Sequence, residues 1–197
     1  MKKVLIALTS IVCIIGAVVG GLAIWEHRSK ISLEAEVEDY LDDVGIDATG
    51  IDVHGRPYII FALQDSVDLT YVDLALQDGT NKDQLLLHRL SNGRPERLTR
   101  FVTFDHPSGE VDPIERADGS FTDSAMVDGS KVTFTAKVTD DRLELFADGA
   151  KAGTIDVGPG VTAEGAAVTD TGVVVELGYD SPDFGDESRA ESRTEKS

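Results

Sequence analysis

The chain has 197 residues, 36 of them acidic and 18 basic, for a formal net charge of -18 at neutral pH. Nucleic-acid affinity comes largely from lysine and arginine displacing counterions, so this balance excludes a nucleic-acid partner. The charge is unevenly spread: residues 1–30 hold four basic side chains (Lys2, Lys3, Arg28, Lys30) and one acid, Glu26, whereas residues 31–197 hold 14 basic and 35 acidic ones. The single cysteine, Cys13, sits in an apolar stretch, which leaves the rest of the chain without a disulfide, a thiolate nucleophile or a cysteine zinc site.

From Val4 to Ile24 run 21 residues whose only polar members are Thr9 and Ser10, preceded by two lysines and closed by Trp25. At about 1.5 Å rise per residue, a helix of this length matches a hydrocarbon core roughly 30 Å thick. A secretory signal has a shorter apolar region, about 7–15 residues. Residues 1–30 therefore read as a retained membrane anchor, with cleavage near Gly21-Leu22-Ala23 as the alternative. Cys13 follows Ile11 and Val12 and lacks the small residue that a lipoprotein site needs before it. The basic flank places the amino terminus inside and the domain outside the cell membrane, in single-pass topology, or in the secreted fraction if the segment is cleaved.

Ser32 is placed to cap a helix whose apolar residues Leu33, Val37, Tyr40, Leu41 and Val44 recur at helical spacing, with Gly45 placed to end it. Beyond it the period becomes alternating. Ile51 and Val53 flank Asp52, and Val67, Leu69 and Tyr71 are followed by Val72, Leu74 and Leu76 in shifted phase, which reads as a bulge. Residues 81–90 (NKDQLLLHRL) suit a short helix or a buried strand equally. Further strands are expected at Phe101–Phe104, Val132–Val138, Leu143–Ala147 and Val173–Leu177, with turns at Asp118-Gly119, Asp128-Gly129 and Asp148-Gly149. The fold class is α+β, mostly antiparallel β in a meander. Residues 31–180 form one domain, and 181–197 form an acidic tail too poor in apolar residues to fold.

The chain carries no enzyme motif: no G-x-S-x-G elbow, phosphate loop, dinucleotide fingerprint or calcium loop. His27, His54, His88 and His106 stand far apart, without metal-ligand spacing. The reading is of a non-enzyme with no cofactor and no metal. One segment runs against the acidic trend: Arg89, Arg94, Arg97 and Arg100 are accompanied only by Glu96. Guanidinium forks suit phosphate oxygens, so these four are the candidate site for an anionic headgroup, ordinary surface ion pairs being the alternative.

Residues 51–76 (IDVHGRPYIIFALQDSVDLTYVDLAL), with Val53, Gly55, Pro57, Tyr58, Val72 and Leu74 in a Gly-x-Pro-aromatic turn and the strand after it, resemble the LmeA-like phospholipid-binding family of actinobacterial cell envelopes. Arg56 departs from the usual apolar residue, and residues 78–115 align poorly. The resemblance implies a tubular lipid-binding fold, in which a curved sheet wraps a helix, and a protein that binds phospholipid and supports envelope glycolipid assembly. An acyl-chain groove would then be lined by Tyr58, Ile59, Ile60, Phe61, Leu63, Leu69, Phe101 and Phe104, each buried methylene being worth about 0.8 kcal/mol. The expected partners are phospholipid and the membrane. The alternative function is a surface-displayed, β-rich interaction or scaffolding domain without a lipid site.

Overall fold

The computed structural model describes residues 2–54, 66–91 and 94–179, with side chains in its first helix described from residue 23 onward. That helix, α1 (Lys2–Asp43), is unbroken over 42 residues, about 63 Å at the standard rise. Ser32 is consequently not a cap but an exposed mid-helix residue, which corrects the expected boundary. Between Trp25 and Ser32 the sequence has no glycine or proline to stop the helix, and Lys30 pairs with Glu34 one turn on, at 3.3 Å. Gly45 does end it. With φ at 72° it lets Ile46 N–H donate back to the Leu41 carbonyl at 2.9 Å and its own N–H to Asp42 at 3.1 Å, the double closure that satisfies a helix C-terminus.

Eleven strands follow: β1 (Ala48–His54), β2 (Ser66–Leu74), β3 (Thr80–Ser91), β4 (Arg94–Phe104), β5 (Val111–Glu115), β6 (Phe121–Val127), β7 (Ser130–Thr139), β8 (Arg142–Ala147), β9 (Ala150–Asp156), β10 (Val161–Thr169) and β11 (Gly172–Tyr179). All pairings are antiparallel, so the chain is mostly antiparallel β with one helix. A six-stranded sheet has the order β1-β2-β3-β4-β11-β10 and a five-stranded sheet the order β5-β6-β7-β8-β9. Only the second is a plain meander, since β11 returns to pair with β4. The ambiguous segment 81–90 is strand β3. The β6–β7 and β8–β9 turns are Asp-Gly pairs with positive φ at both residues, and Asp140-Asp141 forms a third such turn between β7 and β8.

The shifted phase in β2 has a different cause from the one its sequence suggests. Pairing with β3 stays in one register from Ser66 to Asp73, so there is no bulge at Tyr71-Val72. Instead Val72 is buried on the inner face and Tyr71 is half-buried on the outer one, because both faces of this strand carry apolar residues. The register shift in this pair falls in β1, between Ala48 and Gly50. Leu76 lies past the strand and is exposed.

Cross-strand partners share a face, so the register shows what the inner face is made of. Val53, Val72, Leu85, Leu87 and Leu98 lie under Leu33, Val37, Tyr40 and Leu41 of α1 and form one core cluster. Val102, Phe104, Val173, Val175 and Leu177, on the same face farther across the sheet, pack against Phe134, Leu143, Leu145 and Ile155 of the second sheet. The approach there is close: a Cβ on Gly153 of β9 would stand 2.8 Å from the Phe104 ring. The Gln77 side chain also donates to Asp156 O at 2.8 Å and accepts from Asp156 N–H at 3.0 Å, tying the β2–β3 turn to the end of β9.

Between the two clusters the inner face carries a charge pair. Asp83 in β3 stands opposite Val102, and Arg100 in β4 stands opposite Leu85, both in core phase. The guanidinium grips the carboxylate with two hydrogen bonds, Nε to Oδ1 at 2.8 Å and Nη2 to Oδ2 at 2.6 Å, and Nη1 donates to the Val157 carbonyl at 3.4 Å. Removing one partner of such a pair leaves the other charge buried and uncompensated. Asp83→Ala is therefore expected to lower unfolding stability by about 3–5 kcal/mol, and Asp83→Leu combined with Arg100→Met to recover most of that loss. Urea denaturation of the variants, followed by circular dichroism, measures both.

Candidate functional site

The register distributes the proposed site residues over different parts of the molecule. Tyr58, Ile59, Ile60, Phe61 and Leu63 lie outside the described residues, as does the 181–197 tail. Leu69 and Phe101 are half-buried on the outer face of the six-stranded sheet, whereas Phe104 points into the core between the sheets. The three described members of the expected acyl groove are thus not brought together.

The arginines divide in the same way. Arg97 is paired with His88 on the outer face, and Arg100, three residues on, is turned inward to Asp83. Arg100 therefore belongs to the buried seam and not to a surface headgroup site. Arg89, Arg94 and Arg97 do gather near the end of the β3–β4 hairpin. Arg89 takes φ of 46°, and the strand's alternation breaks there, so Leu90 behind it is buried with Leu85 and Leu87. Its guanidinium lies 3.3 Å from Glu96, and that of Arg97 lies 3.3 Å from Glu164. Glu164 sits in the register shift of β10 between Ala163 and Gly165. His88, Arg89, Glu96 and Arg97 line an open depression of about 410 Å³. His88 Nε2 is 3.4 Å from the Thr99 hydroxyl.

The remaining candidates for chemistry are dispersed. His54 Nε2 lies 3.0 Å from Asp52 and its ring meets Tyr71 edge-on at 4.9 Å, while His106 Nε2 is 3.2 Å from the Asp170 carbonyl. Among the described residues no group of three or more His, Cys, Asp or Glu side chains is placed to hold a metal ion. Between α1 and β1 lies an open cleft of about 350 Å³ whose rim includes Glu34, Glu38, Asp42 and Asp47.

The seam holds two largely buried groups with shifted pKa values, and neither Asp83 nor Tyr179 is among the residues that the sequence singles out. Burial opposes the Arg100 charge, but the hydrogen bonds and charge of Asp83 outweigh it and raise the Arg100 pKa. Burial likewise raises Tyr179, the last residue of β11, with Arg100 partly offsetting the rise. The available signal was a pair of opposite charges, each in the core phase of its strand. It could not be read while residues 81–90 were ambiguous between helix and strand.

Among the described residues no helix is long and apolar enough to cross a membrane. The Val4–Ile24 stretch forms part of α1, but nearly all its side chains lie outside the description. Comparison with family models, curated proteins and solved structures returned no match.

The Tyr179 environment has a measurable consequence. A raised tyrosine pKa means that the folded state holds the proton more tightly than the unfolded one. Its contribution is full below the ordinary tyrosine value of about 10 and is lost as pH rises through the raised value. Tyr179→Phe is expected to reduce the alkaline fall in stability relative to the parent, as read from urea midpoints between neutral and strongly alkaline pH. Parallel curves for the two proteins would overturn the assignment.

Proposed function

We propose that this chain is a non-catalytic, single-pass membrane protein whose β-rich domain lies outside the membrane, binds phospholipid and supports cell-envelope lipid or glycolipid assembly. The observation that carries the reading is the continuity of α1. One helix contains the apolar stretch Val4–Ile24 and, a few turns later, contributes Leu33, Val37 and Leu41 to the domain core. A helix laid on a broad antiparallel sheet also accords with the tubular lipid-binding fold implied by residues 51–76. Phosphate recognition falls to Arg89, Arg94 and Arg97, whose planar forks suit phosphate oxygens.

The scattering of Leu69, Phe101 and Phe104 over two faces favours a second reading, an interaction or scaffolding domain without an acyl groove. A version beginning at residue 26, which keeps every α1 residue in the core, separates the two. Under the lipid-binding reading it retains phospholipid through purification, detected by solvent extraction and mass spectrometry. Lipid-free protein that also fails to take up a fluorescent phospholipid would sink that reading and leave the second.

A further inference from the structure

The tether and the arginine hairpin lie at the same end of the domain, and the register shows by how much. Helix α1 descends to Gly45 and β1 climbs back beside it, with Lys30 Nζ 3.2 Å from Asp52 Oδ1 marking one level on both elements. That level crosses the sheet from Asp52 to Tyr71, Leu86 and Thr99. Above it β1 has two more residues, to His54, whereas β3 has five, to Ser91, which pairs with Arg94. The five residues from Leu86 to Ser91, at no more than 3.3–3.4 Å each, put Ser91 at most roughly 17 Å past the Lys30 level. Trp25, five residues back along the helix, stands roughly 7.5 Å past it. Ser91 and Arg94 therefore stand past Trp25 by up to about 9 Å, a distance on the scale of the roughly 5–7 Å depth of one headgroup layer.

Tryptophan at the end of an apolar span settles at the membrane interface, and Trp25 is exposed in the domain. A bilayer that takes up residues 4–24 with Trp25 at its surface thus brings the hairpin to its headgroups. The helix has no glycine or proline between residues 25 and 44, so the domain is not free to swing away.

Charge runs along the same axis. Arg89, Arg94 and Arg97 are exposed near the upper end with Glu96 and Glu164 beside them, while Asp42, Asp43, Asp47, Asp78 and Asp105 outnumber Lys82 and Arg142 among the exposed charges near the lower one. An anionic surface attracts the first group and repels the second. The Arg89–Glu96 and Arg97–Glu164 pairs are solvent-exposed on both sides, and such pairs are weak enough to give way to a phosphate.

We propose that the β3–β4 hairpin is a docking edge for the same bilayer that holds α1, with Arg89 and Arg97 exchanging their carboxylate partners for the phosphates of anionic phospholipids and Arg94 joining them there. This inference rests on the tether reading above and adds a fixed seating of the domain on its own membrane.

The test uses the full chain with Cys13→Ala, which removes the only cysteine, and a new cysteine from Ser91→Cys or, as the distal control, Asp78→Cys. Each is labelled with a fluorophore and reconstituted into phosphatidylcholine vesicles containing phosphatidylglycerol and a nitroxide on the lipid headgroup. The Ser91 label is expected to be quenched several-fold more than the Asp78 label. That excess should disappear when Arg89, Arg94 and Arg97 are all changed to Gln, and should shrink in vesicles without phosphatidylglycerol. Equal quenching at the two sites in vesicles that carry the chain on flotation would overturn the docking edge and leave the tether standing. Quenching that survives the triple substitution would overturn the role of the arginines. A chain that does not float with the vesicles would overturn the tether reading and the docking edge with it.

Discussion

Asp83 and Arg100 can stay charged inside this protein because two different lids meet over them. The inner face of the six-stranded sheet is too wide for either α1 or the five-stranded sheet to cover alone. The helix shields the part formed by β1 to β3, and the second sheet shields the part formed by β4, β11 and β10. At the join a charged pair stands between the two apolar clusters, and buried there it must satisfy itself. The bidentate pair does so, and Arg100 Nη1 also donates to the Val157 carbonyl just after β9. One side chain thereby links β3, β4 and the end of the second sheet.

This join fixes more than the core. With the helix held by Leu33, Val37, Tyr40 and Leu41 and by its closure at Gly45, the direction in which its amino-terminal half leaves the domain is set. With β3 and β4 locked at their middle by Asp83 and Arg100, the far end of their hairpin is set as well. Both project the same way. Exposed arginines thus gather toward the amino-terminal half of α1, and exposed aspartates near Gly45 and the β2–β3 turn away from it.

The legible parts of the sequence were those governed by local chemistry. Gly45 ended its helix because positive φ costs glycine little, and the Asp-Gly pairs made their turns for the same reason. The alternating segments at 132–138, 143–147 and 173–177 became strands, with Phe134, Leu143, Leu145, Val173, Val175 and Leu177 buried and Val132, Ala136, Val138 and Ala147 half-buried. Ser32 misled because a good capping residue acts as one only where the helix begins, and nothing in Trp25 to Ile31 interrupts the helix before it. Residues 71–72 misled because a phase change in hydrophobicity has two origins, a bulge or a strand wetted on neither face, and only the pairing partner distinguishes them. The arginine cluster was half-legible. Its positions were plain, but side-chain direction alternates along β4, so Arg97 and Arg100 went to opposite faces.

By itself the sequence determined the apolar span, the acidic excess, the β-rich class and most of the turns, since these depend on composition, on periodicity and on the conformational preferences of single residues. Tertiary structure alone decided that the apolar span and the core helix are one element, that Arg100 is a buried partner of Asp83, and that the remaining arginines lie at the end of the sheet toward which the amino-terminal half of α1 runs. Those outcomes depend on which strands become neighbours and in what register, and the register is chosen by burying two lids on one face, an interaction between residues far apart in the chain.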